Sequence, residues 1–190
     1  SLVMSVEQEE LRIAVGLQDR VVQVFEGLVY MDFAKSQERR VAGLPCYRYE
    51  RLPLECLPPL YLAYHDTLSE PTEVFHNDIR GRFDRGEEKV VRSMERFARI
   101  AEDGRAALLA RDAAKVGALM NENFDLRRSI YNLPAWQVQM IETARACGAS
   151  AKFAGSGGAI VGVYRDEAMF EMLCERLQAI GSRVVKPQIE

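Results

Sequence analysis

"KFAGSGGAIVGVY", residues 152–164, is the stretch whose reading decides the fold. Gly155, Gly157 and Gly158 fall within four residues, directly before an apolar, β-branched run of buried-strand length. Two readings of the glycines stand side by side. A tight turn needs positive φ, which glycine adopts without steric penalty. Bare backbone N–H groups in such a turn also suit a phosphate, or a loop that binds one. In either case the stretch reads as a short strand at 151–153, a turn, and a strand at 159–164.

Toward the C-terminus, residues 166–180 read as a helix ended by Gly181, and "SRVVKPQI" (182–189) as a final strand. Toward the N-terminus, a helix runs from Pro134 to Gly148, with proline suited to its first turn. Another spans 112–131 with Asp112 as N-cap. The spacing of Val90, Val91, Met94, Phe97 and Ile100 predicts a long amphipathic helix from Phe83 to Arg105, stopped at Gly104. Residues 67–81 read as a loop, and 28–33, 46–53 and 57–66 as strands. Residues 5–14 favour helix, and Leu17, Val21, Val24 and Phe25 carry helical spacing over 16–28. The sum is an α+β fold with helices packed on one face of a largely antiparallel sheet.

The 190 residues are 48% hydrophobic and 28% charged, enough for a substantial core without disulfides. A net charge of −3 with dispersed basic residues argues against nucleic-acid binding, and the apolar runs are too short to span a membrane. Cys46, Cys56, Cys147 and Cys174 lack CxxC spacing and read as reduced thiols of a cytoplasmic protein. With only His65 and His76 present, a histidine-based metal site or Ser-His-Asp triad is disfavoured. Trp136 reads as core or interface.

Three pieces in order, "GLQDRVVQVFEGLVYMDF" (16–33), "LMNENFDLRRSIYNLP" (119–134) and "GASAKFAGSGGAIVGVY" (148–164), resemble the C-terminal half of the GHMP small-molecule kinases, with the glucuronokinase group most similar. The resemblance implies a GHMP-kinase C-terminal domain with a ferredoxin-like antiparallel sheet over 28–190. It implies that residues 1–27 are a helical remnant of the ATP-binding half. The family's substrate-binding strand and phosphate loop are then expected upstream of Ser1, and this chain alone is expected to be inactive. A homodimer, or association with that missing half, is expected to cover the apolar face of residues 1–27. Implied co-substrates are ATP with Mg2+ and a small sugar acid.

Gly16-Leu17-Gln18-Asp19 matches the family's Gly-x-x-Asp, which implies Asp19 as the catalytic base. Phosphoryl transfer to a hydroxyl needs the acceptor positioned and its proton removed, and a carboxylate does both. By its position alone Asp19 reads as a solvated residue near a helix start, and it is the flanking match that turns the reading to the base. Arg20, where kinases of neutral sugars have Gln, suits a sugar carboxylate through two parallel hydrogen bonds; pairing with Glu26 and facing the phosphoryl group are the alternatives. Glu7, 12 residues before Asp19, is the implied Mg2+ ligand, with Glu9 and Glu10 competing for that place, against the reading of the glutamate run as helix-dipole complements. Gly155, Ser156, Gly157 and Gly158 are implied to support the nucleotide site. Lys152 either meets a phosphate or sits at a strand end. Arg80 and Arg82 read as surface ion pairs, and Asn123 as a polar residue under the site or in the core. Arg12 and Glu26 depart from the family's small residue and Gly, which bears on backbone shape near Asp19. The alternatives are a kinase for galactose or a heptose, and a non-catalytic interaction module.

Overall fold

The computed structural model describes residues 17–41, 44–65 and 79–189. Two compact units divide the chain, one of Ser1–Cys56 with Gln188–Glu190, the other of Leu57–Pro187. In the first, helix α1 (Leu17–Phe25) leads into strands β1 (Leu28–Asp32), β2 (Arg39–Val41), β3 (Leu44–Cys46) and β4 (Arg48–Leu52). Strand β1 pairs antiparallel with β4, from Leu28 opposite Leu52 to Asp32 opposite Arg48, and β2 pairs with β3. Val21 is buried, and Phe25, one turn later on the same face, meets the Tyr49 ring edge-on at 5.6 Å. Val24 does not join that face and is 71% exposed. The helical spacing grouped it with the others, but a nine-residue helix presents only a narrow stripe to a two-stranded ribbon.

In the second unit the alternation in "LYLAYH" builds β5 (Leu60–His65), with Tyr61 and Ala63 wholly buried. Helices α2 (Glu88–Leu109), α3 (Ala113–Ile130) and α4 (Ala135–Ala146) follow, then β6 (Lys152–Phe153), β7 (Ala159–Val163), α5 (Glu167–Gln178) and β8 (Ser182–Val185). The sheet order is β6-β7-β5-β8, antiparallel throughout, with Leu62 between Val161 and Val185. This is the ferredoxin-like arrangement, the crossover before β6 being carried by three helices. Phe124, Met140, Ile141, Ala144, Met169, Leu173 and Leu177 bury the helices against Tyr61, Ala63 and Ile160. Each fully buried large side chain of this kind contributes roughly 1.5–3 kcal/mol. Gly162 makes a close approach possible: a Cβ there would lie 1.7 Å from the Ser150 carbonyl oxygen, which accepts the buried Tyr61 hydroxyl at 2.8 Å.

The long helix differs from its sequence reading at both ends. Residues 79–84 are a separate helical piece, interrupted at Gly86 (φ 73°), and α2 begins at Glu88. It then passes through Gly104 to Leu109, because Ile100 and Ala107 are both buried in one cluster with Val116 and Leu119 of α3. Packing there outweighs glycine's low helix propensity, about 1 kcal/mol. The final strand stops at Val185, two residues before Pro187, which has no N–H to offer a ladder. Asp112 caps α3 as its sequence suggests, accepting the Lys115 amide at 2.9 Å.

Candidate functional site

Asp19 occupies the first turn of α1, where a carboxylate complements the helix dipole. Its side chain is 78% exposed, while that of Arg20 is largely covered, with Nη1 3.5 Å from Asp19 Oδ2. Arg20 thus lies within reach of the Asp19 carboxylate. Glu26 sits past the end of α1 at φ 55°, its amide donating to the Val22 carbonyl at 2.8 Å, and Gly27 follows at φ 64°. The departure from Gly at this position thus leaves the left-handed turn in place, carried by a residue that tolerates it poorly. Gly16 and Glu7 lie outside the described residues. An exposed carboxylate such as Asp19 is the donor type a partly hydrated Mg2+ takes from a protein, one or two at a time. Among the described residues no cluster of three metal-ligating side chains occurs.

The glycine turn lies in the other unit, between β6 and β7, closed by the Ala154 amide donating to the Ala159 carbonyl at 2.9 Å. Gly157 (φ 155°) has no room for a side chain: a Cβ would lie 2.7 Å from both amide-head atoms of buried Gln137. Gly155, by contrast, faces open space. The Gly158 carbonyl accepts the His65 amide at 3.4 Å, and Trp136, edge-on to the His65 ring at 5.8 Å, packs against the core cluster. Trp136 is thus half-buried at the edge of the core cluster.

A residue outside the candidate set organises this turn. Arg127, on α3, donates from Nη1 to the Gly155 carbonyl at 2.9 Å and from Nη2 to the Ser156 carbonyl at 2.7 Å. Its guanidinium lies 5.0 Å from the centroid of the Tyr131 ring and 5.2 Å from that of Phe153. Burial draws its pKa below the ordinary arginine value. Lys152 is half-buried nearby and donates to the Phe153 carbonyl at 2.7 Å. Burial first, and repulsion from Arg127 second, hold its pKa below the usual lysine value. Among the described residues neither cation is paired with a carboxylate.

Arg82 makes a bidentate pair with Glu87 and donates to the Ile130 carbonyl at 2.7 Å, while Arg80 is exposed. Asn123 is half-buried on α3, and so is Asn121, whose Oδ1 accepts the Ala151 amide at 2.9 Å. Two residues along a helix is a rotation of about 200°, so the two asparagines face opposite ways. The four cysteines are free thiols, and among the described residues no helix is long and apolar enough to cross a membrane.

The site therefore sits on a ferredoxin-like sheet with a glycine turn between its second and third strands in chain order, clamped from α3. Residues 105–182 match the family model described as GHMP kinases C terminal, and the chain carries this domain of the GHMP kinase family. It is 45% identical over 166 residues to "Probable glucuronokinase 2" of Arabidopsis thaliana and 43% identical over 165 residues to "Glucuronokinase 1" of the same plant. Each match takes in 85% of this chain and 44% of the relative, so the chain spans less than half the length of these curated relatives. Among solved structures, a D-glycero-D-manno-heptose 1-phosphate kinase from Bacteriodes thetaiotaomicron superposes with a TM-score of 0.66 at 19% identity, over 99% of this chain and 50% of that one. That likeness speaks to the fold.

Proposed function

We propose that the chain is the C-terminal part of an ATP-dependent sugar-1-kinase whose acceptor is D-glucuronate. The observation that supports this best is the 43–45% identity to two glucuronokinases across 85% of the chain. In this reading residues 1–27 belong to the ATP-binding half and 28–190 to the C-terminal domain. The anomeric hydroxyl oxygen attacks the γ-phosphorus, the bond to the bridging oxygen breaks, and ADP leaves with that electron pair. Asp19 positions the hydroxyl and takes its proton. Arg20 holds the sugar carboxylate through its planar fork, which fixes the hydroxyl near the base. Gly155, Ser156, Gly157 and Gly158 shape the nucleotide side of the site. Mg2+, when bound, neutralises charge on the phosphate oxygens, with Glu7 supplying a carboxylate. Free thiols suit a reducing compartment such as the cytoplasm. The exposed Val22 and Val24 of α1 suit a covering partner, either the other half of the kinase or a second copy.

Glucuronate-dependent ADP release by the full-length polypeptide tests this. Asp19→Asn is expected to retain ATP binding and lose roughly two orders of magnitude or more in kcat. Arg20→Gln is expected to raise KM for glucuronate, leave KM for ATP nearly constant and spare uncharged sugars. Undiminished turnover in Asp19→Asn removes that residue from the mechanism. Equal losses for charged and uncharged acceptors remove Arg20 from carboxylate recognition.

A further inference from the structure

Helices α2 and α3 run antiparallel and are tied at three levels. Ala107 packs with Val116 beside their connection, Arg96 makes a bidentate pair with Glu122 further along, and Lys89 donates to the Ser129 carbonyl at the far end. At that far end the two helices part around an open groove of about 420 Å³, lined by Glu88, Lys89, Arg92, Ser93, Leu126 and Ser129. A volume of this size holds a small ligand. Helical spacing sets Glu88 beside Arg92 and Lys89 beside Ser93 on the α2 wall, and Leu126 beside Ser129 on the α3 wall. No residue assigned above to the kinase reaction lines it.

The hydrogen bonds already made define what the groove offers. Ser93 is buried and its hydroxyl donates to the Lys89 carbonyl at 2.7 Å, while the Ser129 hydroxyl donates to the Leu126 carbonyl at 2.7 Å. A hydroxyl has one proton to give, so both oxygens turn only acceptor lone pairs to a ligand. The Lys89 ammonium uses one of its three donors on the Ser129 carbonyl. Arg92 pairs with Glu88 at the exposed rim, and a pair so exposed contributes little and yields readily to a ligand. Leu126 is half-buried and supplies an aliphatic surface.

Two cations, acceptors without a proton to give and one aliphatic patch suit a ligand with an anionic group, several hydroxyl donors and a C–H face. An inorganic anion leaves the acceptors unmet, and a neutral sugar leaves the cations unmet. We propose that the groove between α2 and α3 is a binding site for a sugar anion, either an acid or a phosphate ester. Lys89 and Arg92 take the charged group, Ser93, Ser129 and Glu88 accept from the hydroxyls, and the ring lies on Leu126. The groove's own chemistry carries this, independently of the acceptor proposed above.

The test is a titration of the isotope-labelled chain, read at the backbone amides of Ser93, Leu126 and Ser129. D-glucuronate, glucose 6-phosphate, glucose and inorganic phosphate are the separate probes. At least one of the two sugar anions is expected to shift these amides saturably, with glucose and inorganic phosphate roughly tenfold or more weaker. A response to glucuronate alone assigns the groove to acids, and a response to glucose 6-phosphate alone assigns it to phosphate esters; either supports the site. Lys89→Gln and Arg92→Gln are each expected to weaken binding roughly tenfold, the loss of one charge-assisted hydrogen bond, at a nearly unchanged Tm. Unchanged affinity in both variants overturns the part given to the cations. Inorganic phosphate binding as tightly as the sugar anions overturns the sugar ligand. Wild-type amides that ignore both sugar anions overturn the site, whatever the variants do, so the test survives a variant that fails to fold. Glucuronate shifts confined to α1 around Arg20 overturn the groove and support the acceptor reading. Shifts at the groove in a polypeptide that releases no ADP with glucuronate support the groove and count against that reading.

Discussion

Replacing Gly157 with alanine isolates what the glycine turn requires of its backbone. Two separate effects oppose the substitution. The first is conformational: φ is 155°, in the region that favours glycine, and an L side chain there costs about 1–2 kcal/mol. The second is steric. The new Cβ would lie 2.7 Å from Nε2 and Oε1 of Gln137 and 3.0 Å from its Cδ. Gln137 is only 4% exposed, so its amide head has no solvent to retreat into. Overpacking of this kind costs roughly 1–3 kcal/mol. Together Gly157→Ala is expected to destabilise by about 2–5 kcal/mol, a fall in Tm on the order of 10 °C. Gly155→Ala is the internal control. Nothing lies within 4 Å of its Cβ, so the change should be near neutral or stabilising by a few tenths of a kcal/mol, through the unfolded chain.

Urea unfolding of the wild type, both single variants, Gln137→Ala and the Gly157→Ala/Gln137→Ala double variant measures all of these. With Gln137 truncated, the steric part disappears and only the conformational part, about 1–2 kcal/mol, should remain for Gly157→Ala. The coupling between the two positions should accordingly be about 1–3 kcal/mol. Equal effects of Gly155→Ala and Gly157→Ala would refute the reasoning, since the turn would then make no residue-specific demand. Additivity with Gln137→Ala would refute the steric half alone.

Two further outcomes follow from single residues. Glu26→Gly should stabilise the chain by about 1 kcal/mol in the same assay, because Glu26 holds φ 55° and glycine takes that conformation without a Cβ penalty. Lys152→Met should raise stability at neutral pH and flatten its pH dependence on the alkaline side. The folded pKa of Lys152 lies below its unfolded value, so the unfolded chain binds more protons between the two, and wild-type stability rises with pH across that window. A wild-type curve that falls there with the other groups unchanged, or a Met variant that is less stable at pH 7, contradicts the placement of Lys152.

The parts of the fold that read directly from sequence are those fixed by local rules. Asp112 before an apolar-periodic run gave the start of α3, and alternation around Tyr61 and Ala63 gave β5. Gly104 misled because its neighbours' burial against α3 is decided by residues at 116 and 119, outside any local window. The same limit hides the most consequential contact in the glycine turn. "LRRSI" offers two adjacent arginines, three and four residues after buried Phe124, and helical spacing admits both as its neighbours on one face. The structure sends Arg128 to Glu142 on α4 and Arg127 to the turn, 28 and 29 residues further along the chain. Which arginine goes where depends on where α4 and the β6–β7 turn arrive, and that is set by the sheet register and the Gly162 contact. A motif read from its own glycines therefore locates the turn but not its orientation. The orientation comes from a cation on another element, and it is the orientation that decides whether carbonyls or amides face a ligand.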